Sequence, residues 1–199
     1  DYNAMYPANT KLSSLKSRLR IIVFGALLTL LFTSCGAPFG AEQSSSTPSQ
    51  QCGTLTDQQA LEKYGQEIPP YTWDGDTSEG APWDTSKVPE NIPTKNPELN
   101  TYDPCAEFSW ITMDLKNGTG SSPAHLLFFS HGEFIGVAEQ KPFGKFVPHR
   151  LSPTSVEVRY VYPKADECNA CATGRAISVY TFDPQTRQVS RTGELPPVN

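Results

Sequence analysis

From Cys105 onward the chain divides into short apolar runs separated by turn residues, and this pattern predicts strands. "EFSWITMDL", "HLLFFSH", "EFIGVAE", "SVEVRYVYP" and "RAISVYTFD" are rich in β-branched and aromatic residues. The intervening "KNGTGSSP", "SHGE" and "DPQTRQ" place Gly, Asn, Asp or Pro where tight returns need them. In "VEVRYVY", Val156, Val158, Tyr160 and Tyr162 alternate with Glu157 and Arg159, so one face is expected in a core and the other in water. Ahead of the strands the pattern is helical only once. Thr56 is an N-cap candidate with Gln59 completing a capping box, Leu61 and Tyr64 share a side, and Gly65 offers a stop, which predicts a short helix over Asp57–Tyr64. Between Gln66 and Asp103 prolines interrupt every run, yet Tyr71, Trp73 and Trp83 are too apolar for a free linker. The expected fold is α+β: an antiparallel β-sheet meander of about five to six strands, with the short N-terminal helix on its inner face and a long Pro-rich wrapping loop.

The first 34 residues read differently. Lys11, Lys16, Arg18 and Arg20 precede the run "IIVFGALLTLLF" from Ile21 to Phe32, which is too short to cross a bilayer core of about 20 residues and fits the apolar region of a signal peptide. Thr33 and Ser34 before Cys35, with Gly36 after it, resemble a bacterial lipobox, although Phe32 stands where Leu is usual. The expected organisation is a signal peptide over residues 1–34, a lipidated flexible tether over 35–51 and a single domain over 52–199. A diacylglycerol on Cys35, with further acylation, would anchor the chain durably to the plasma membrane on its extracytoplasmic face. Sixteen small and polar residues after Cys35 would reach about 20–25 Å from that anchor.

Charge narrows the partners. Four of the 16 basic residues, but only Asp1 of the 21 acidic ones, fall in the first 34 residues. The remainder therefore carries 12 basic against 20 acidic side chains, near −8, and shows no basic cluster. That balance argues against nucleic acid and against an anionic lipid surface as ligands.

With Cys35 assigned to lipid, Cys52, Cys105, Cys168 and Cys171 form an even set, which in an oxidising space favours disulfides. Four cysteines allow three pairings, of which Cys52–Cys105 with Cys168–Cys171 is the economical one. The first would close a 54-residue loop, worth about 4 kcal/mol, and the second only four residues, worth about 2 kcal/mol. A thioredoxin-type role for "CNAC" would need a helix N-terminus; here the motif lies between two predicted strands, beside Asp166 and Glu167, whose charge opposes a thiolate. His125, His131 and His149 are scattered, and "DGDTSEG" at Asp74–Gly80 misses the glycine position and distal glutamate of a calcium loop, so no metal or other cofactor is expected. "GSSP" lacks a nucleophile elbow, His131 in "SHGE" reads as a hairpin residue, and no catalytic residue is assigned. Asn117-Gly118-Thr119 matches a glycosylation sequon, but a Gly-rich turn explains it.

The string "YDPCAEFSWITMDLKNGTGSSPAHLLFFSHGEFIGVA" with the later "TGELPP" resembles the LppP/LprE family of actinobacterial lipoproteins. The most specific pieces are Tyr102-Asp103-Pro104-Cys105, Ser109-Trp110, Thr119-Gly120-Ser121-Ser122-Pro123 and His131-Gly132-Glu133, and the resemblance runs from about Cys52 to Pro197. It implies an envelope lipoprotein and brings no catalytic residues or ligand; "CNAC" lies outside the shared pattern. The expected function is a non-enzymatic, lipid-anchored interaction module with a membrane-protein or envelope partner, whose candidate surface is Tyr71, Trp73 and Trp83. The competing reading of those aromatics is a roof over the sheet. Two other functions remain at this point: a lipid or small-ligand carrier with Leu127, Phe129 and Ile135 lining a cavity, and a thiol oxidoreductase using Cys168 and Cys171.

Overall fold

The computed structural model describes residues 51–73, 79–144 and 146–197. The helix α1 spans Asp57–Gly65, one residue beyond the expected end, and its capping box is formed: Gln59 N donates to Thr56 Oγ1 at 3.2 Å, and Thr56 N donates to Gln59 Oε1 at 3.0 Å. Among the described residues eight strands follow: β1 (Ser109–Asp114), β2 (Pro123–Ser130), β3 (Glu133–Val137), β4 (Phe143–Gly144), β5 (Phe146–Ser152), β6 (Ser155–Tyr162), β7 (Gly174–Asp183) and β8 (Gln188–Gly193).

The single meander expected from the sequence is corrected to two four-stranded sheets. In the first, β1 pairs antiparallel along the length of β2, from Ser109 opposite Phe129 to Asp114 opposite Ala124. That leaves the other edge of β2 to β3 and β4, which occupy its two ends. The second sheet is a meander, β5-β6-β7-β8, antiparallel throughout.

Alternation along the strands decides what lies between these layers. Trp110, Leu126 and Phe128 from the first sheet, with Phe108 just ahead of β1, meet Val156, Val158, Tyr160, Ala176, Tyr180 and Phe182 from the second in one cluster, the interior of a sandwich. The intervening residues Ile111, Met113, Leu115, Leu127 and Phe129 point the opposite way, and that face is also closed, by Ala60 and Leu61 of α1 and by Trp83. The helix therefore covers the outer face of the first sheet. The second sheet keeps one wet face, with Glu157, Arg159 and Ile177 outward, and follows the simple alternation rule.

The Pro-rich segment is held by polar contacts. Gln58 of α1 donates from Nε2 to Thr85 O at 3.0 Å and accepts at Oε1 from Val88 N at 3.0 Å. Further along, Asn100 Nδ2 donates to Asp57 Oδ2 at 2.8 Å. Residues 98–101 then run along the free edge of β1: Thr112 N donates to Leu99 O at 2.8 Å and Thr101 N to Trp110 O at 2.9 Å. Trp110 Nε1 donates to Glu98 O at 2.6 Å, while the Glu98 carboxylate accepts from Arg150 N of β5, so this segment ties the first sheet to the second.

Candidate functional site

The three aromatics singled out in the sequence occupy different environments. Trp83 forms a bridge opposite Leu115, donates from Nε1 to Pro69 O at 2.8 Å and is 7% exposed. Its ring lies 4.6 Å from that of His125 on β2, which burial holds neutral by pushing its pKa down to about 4. Tyr71 is half-buried, 6.3 Å from Trp83, and meets Trp73 edge-on at 4.9 Å. Trp73 itself is 51% exposed. The roof reading thus describes Trp83 and Tyr71, and it leaves out Trp73, which projects from a stack anchored in the core. Asp74 and Asp76, which follow Trp73 in the sequence, together with Cys35 and the tether before residue 51, lie outside the described residues.

The sequence motifs assemble into a second feature, which is a packed corner. Cys52 and Cys105 are joined by a disulfide, and Gly53 N donates to Pro104 O at 2.7 Å. His131 and Gly132 both take positive φ, 48° and 77°, the pair required by a two-residue hairpin turn between β2 and β3. Gly53 and Gly132 are pressed together so closely that a Cβ on Gly132 would come 2.9 Å from Gly53 Cα and 3.2 Å from Tyr102 Oη. Tyr102 Oη donates to Leu55 O at 3.2 Å, and His131 N to Ala106 O at 2.8 Å. Tyr102, Cys105, His131 and Gly132 are therefore spent on joining the chain before α1 to the first sheet. Both ring nitrogens of His131 are buried without a hydrogen-bond partner in this corner.

"CNAC" lies in the β6–β7 connection. Cys168 and Cys171 are disulfide-bonded across a single 3-10 turn, Asn169–Cys171, and all four residues are exposed. Glu167 closes the loop by accepting from Thr173 Oγ1, Thr173 N and Lys164 N, and these hydrogen bonds hold its carboxyl down to about 2. A permanent carboxylate thus sits next to Cys168, with no α-helix N-terminus to offset it. The three histidines are in separate places, His149 lying beside Glu98 at 3.5 Å, and among the described residues no group of three or more His, Cys, Asp or Glu could hold a metal ion.

Of the residues proposed to line a cavity, Leu127 and Phe129 are fully buried in the cluster under α1, and Ile135 packs against the sandwich interior. A polar chain that sequence patterning did not reveal leads from that interior to the surface. Tyr160 Oη and Tyr180 Oη are 2.8 Å apart, Tyr180 Oη donates to Glu139 Oε1 at 3.0 Å, and Arg191 Nε lies 2.8 Å from the same oxygen. Burial raises both phenols, Tyr160 to about 12, so they act as neutral hydrogen-bonding groups. In the sequence each tyrosine is simply one more apolar position in an alternating strand.

Of Thr119-Gly120-Ser121-Ser122-Pro123, the first four lie in the β1–β2 turn and Pro123 opens β2; Thr119 N donates to Ser122 Oγ at 2.8 Å, and the turn rims a cleft between the sheets. Among the described residues no helix is long and apolar enough to cross a membrane. No curated protein and no solved structure matches the chain. Residues 100–185 match the model of a family described as LppP/LprE lipoprotein, so the segment from the β1-edge strap through the end of β7 carries the pattern of that lipoprotein family.

Proposed function

We propose that this chain is a non-enzymatic envelope lipoprotein, anchored through Cys35 on the outer face of the plasma membrane, that docks on another membrane or envelope protein through Trp73. A lipoprotein family match supports the anchored setting. The observation that carries the docking reading is Trp73, 51% exposed yet braced edge-on by Tyr71, which in turn leans on the buried Trp83. Tryptophan is the side chain most enriched among residues that dominate interface energetics, and a ring already held in place loses little freedom on binding. The tether would let the domain search a membrane-proximal shell for its partner.

The test is a gentle-detergent pull-down of the lipidated protein beside its Trp73→Ala variant, with quantitative mass spectrometry of co-purified proteins. Removing a central aromatic anchor costs about 2 kcal/mol or more, so recovery of the true partner should fall at least about tenfold while thermal stability stays unchanged. Equal recovery with the variant would sink the docking role of Trp73, and insulin reductase activity lost in Cys168→Ser would sink the non-enzymatic reading.

A further inference from the structure

We propose that the cleft between the two sheets beneath the Leu99 strap is a binding site for a small organic ammonium that also carries a hydroxyl group. This is independent of docking through Trp73. The cleft has a volume of about 380 Å³, within the range of small-molecule sites. Its apolar walls come from Leu99 of the strap, Phe146 and Val147 of β5 and Val161 of β6.

Two polar residues of β1 line this space. Thr112 is 4% exposed, lines the cleft, and its Oγ1 is buried with no hydrogen-bond partner. Buried hydroxyls are nearly always satisfied, and a threonine on a strand can turn its oxygen to a ligand as donor or acceptor. Asp114 lies two residues further on the same face, at the open end. Its carboxylate has no hydrogen bond or ion pair among the described residues, and its charged neighbour is another carboxylate, Asp84. No Lys or Arg stands among the described residues lining the cleft. Asp114 is thus the one charged side chain among the described residues lining the cleft, and a lone carboxylate there selects a cation over an anion.

Spacing narrows the choice. Residues i and i+2 of a strand are about 7 Å apart. An ammonium and a hydroxyl on neighbouring carbons bridge that gap when each makes one hydrogen bond of about 2.8 Å, the ammonium to Asp114 and the hydroxyl to Thr112. The apolar remainder of the ligand then lies on Leu99, Phe146 and Val161. Gly120 lines the cleft, and an added Cβ there would meet no atom within 4 Å, so a large residue at this position is expected to obstruct the entrance.

The experiment is saturation-transfer-difference NMR on the full chain in lipid nanodiscs, with empty nanodiscs as blank. The probes are phenylalaninol, with ammonium and hydroxyl, phenethylamine, with ammonium alone, and 3-phenylpropanoate, an anion of similar bulk. Phenylalaninol is expected to bind saturably and several-fold more tightly than phenethylamine, and 3-phenylpropanoate not at all. Thr112→Val should erase the difference between the two amines. Asp114→Asn should weaken both at least tenfold, and Gly120→Trp, with an unchanged melting temperature, should abolish binding. Saturable binding of 3-phenylpropanoate, amine binding indifferent to Asp114→Asn or Gly120→Trp, or no saturation by phenylalaninol up to about 10 mM would each overturn the assignment.

Discussion

His125 stands on β2 with 5% of its surface exposed and its ring packed at a tilt against that of Trp83. A histidine there must be neutral for the roof to close, and burial drives its pKa from 6.5 to about 4. The unfolded chain therefore takes up the proton first as pH falls. Stability should be complete above pH 6.5, decline through the interval, and reach its full loss once the pH passes below about 4, a total on the order of 3 kcal/mol. Attraction of the imidazolium to the Trp83 face offsets part of this. Urea unfolding from pH 7.5 to 4 checks the point: His125→Gln should flatten the acid limb, and an unchanged limb in that variant would assign it to carboxylates instead. The same residue shows why the aromatic trio could not be divided from sequence. Tyr71, Trp73 and Trp83 share a composition and a Pro-rich setting, and only the tertiary bridge from Trp83 to Leu115, over His125, makes one of them core.

At the scale of elements, the two disulfides do unequal work because they close loops of unequal length. Cys52–Cys105 spans 53 positions and pins the chain before α1 to the start of the first sheet. Cys168–Cys171 spans three within one hairpin connection that Glu167 already fastens. Loop-closure entropy predicts that the Cys52→Ser/Cys105→Ser double variant loses about 4 kcal/mol, and Cys168→Ser/Cys171→Ser no more than about 2 kcal/mol. Chemical denaturation of the two variants measures both, and a larger loss from the short loop would show that "CNAC" organises more of the β6–β7 region than its own turn. Legibility of the elements followed a similar logic. The capping box of α1 and the five apolar strands could be read because their signals are local. β5 was missed because Pro148 interrupts it, which an edge strand tolerates, and β8 because "QVSRTG" is a polar, exposed edge; β4 is only two residues long. The split into two sheets was not legible either, since no turn residue states which neighbour a strand will join. Of the candidate sites, the cysteine pairs rest on spacing and count, whereas the cleft under Leu99 depends on a strap that reaches β1 from about a dozen positions upstream.

For the molecule as a whole, the decisive feature is that the first sheet is covered on both faces while the second is covered on one. "HLLFFSH" lacks polar alternation for this reason: from Ala124 to Ser130 every residue is buried, with even positions in the sandwich and odd positions under α1 and Trp83. Such a sheet ranks highest in the stability hierarchy, because opening it exposes both clusters at once, whereas β8 can detach by uncovering little beyond Val189. Native-state hydrogen exchange should therefore find the β1–β2 ladder, from Trp110 with Phe128 to Thr112 with Leu126, exchanging only by global unfolding. Amides of β8 should exchange faster by sub-global opening, as should the β6–β7 connection. Leu127→Ala, which removes a fully buried side chain, should cost about 2–5 kcal/mol and lower protection in β1 and β2 together. If β6 and β7 instead proved the last to exchange, the second sheet would be the folding core and the helical cover a late addition. The Trp73 stack, which is built on that cover through Trp83, would then open with it, and docking through Trp73 would be coupled to local unfolding.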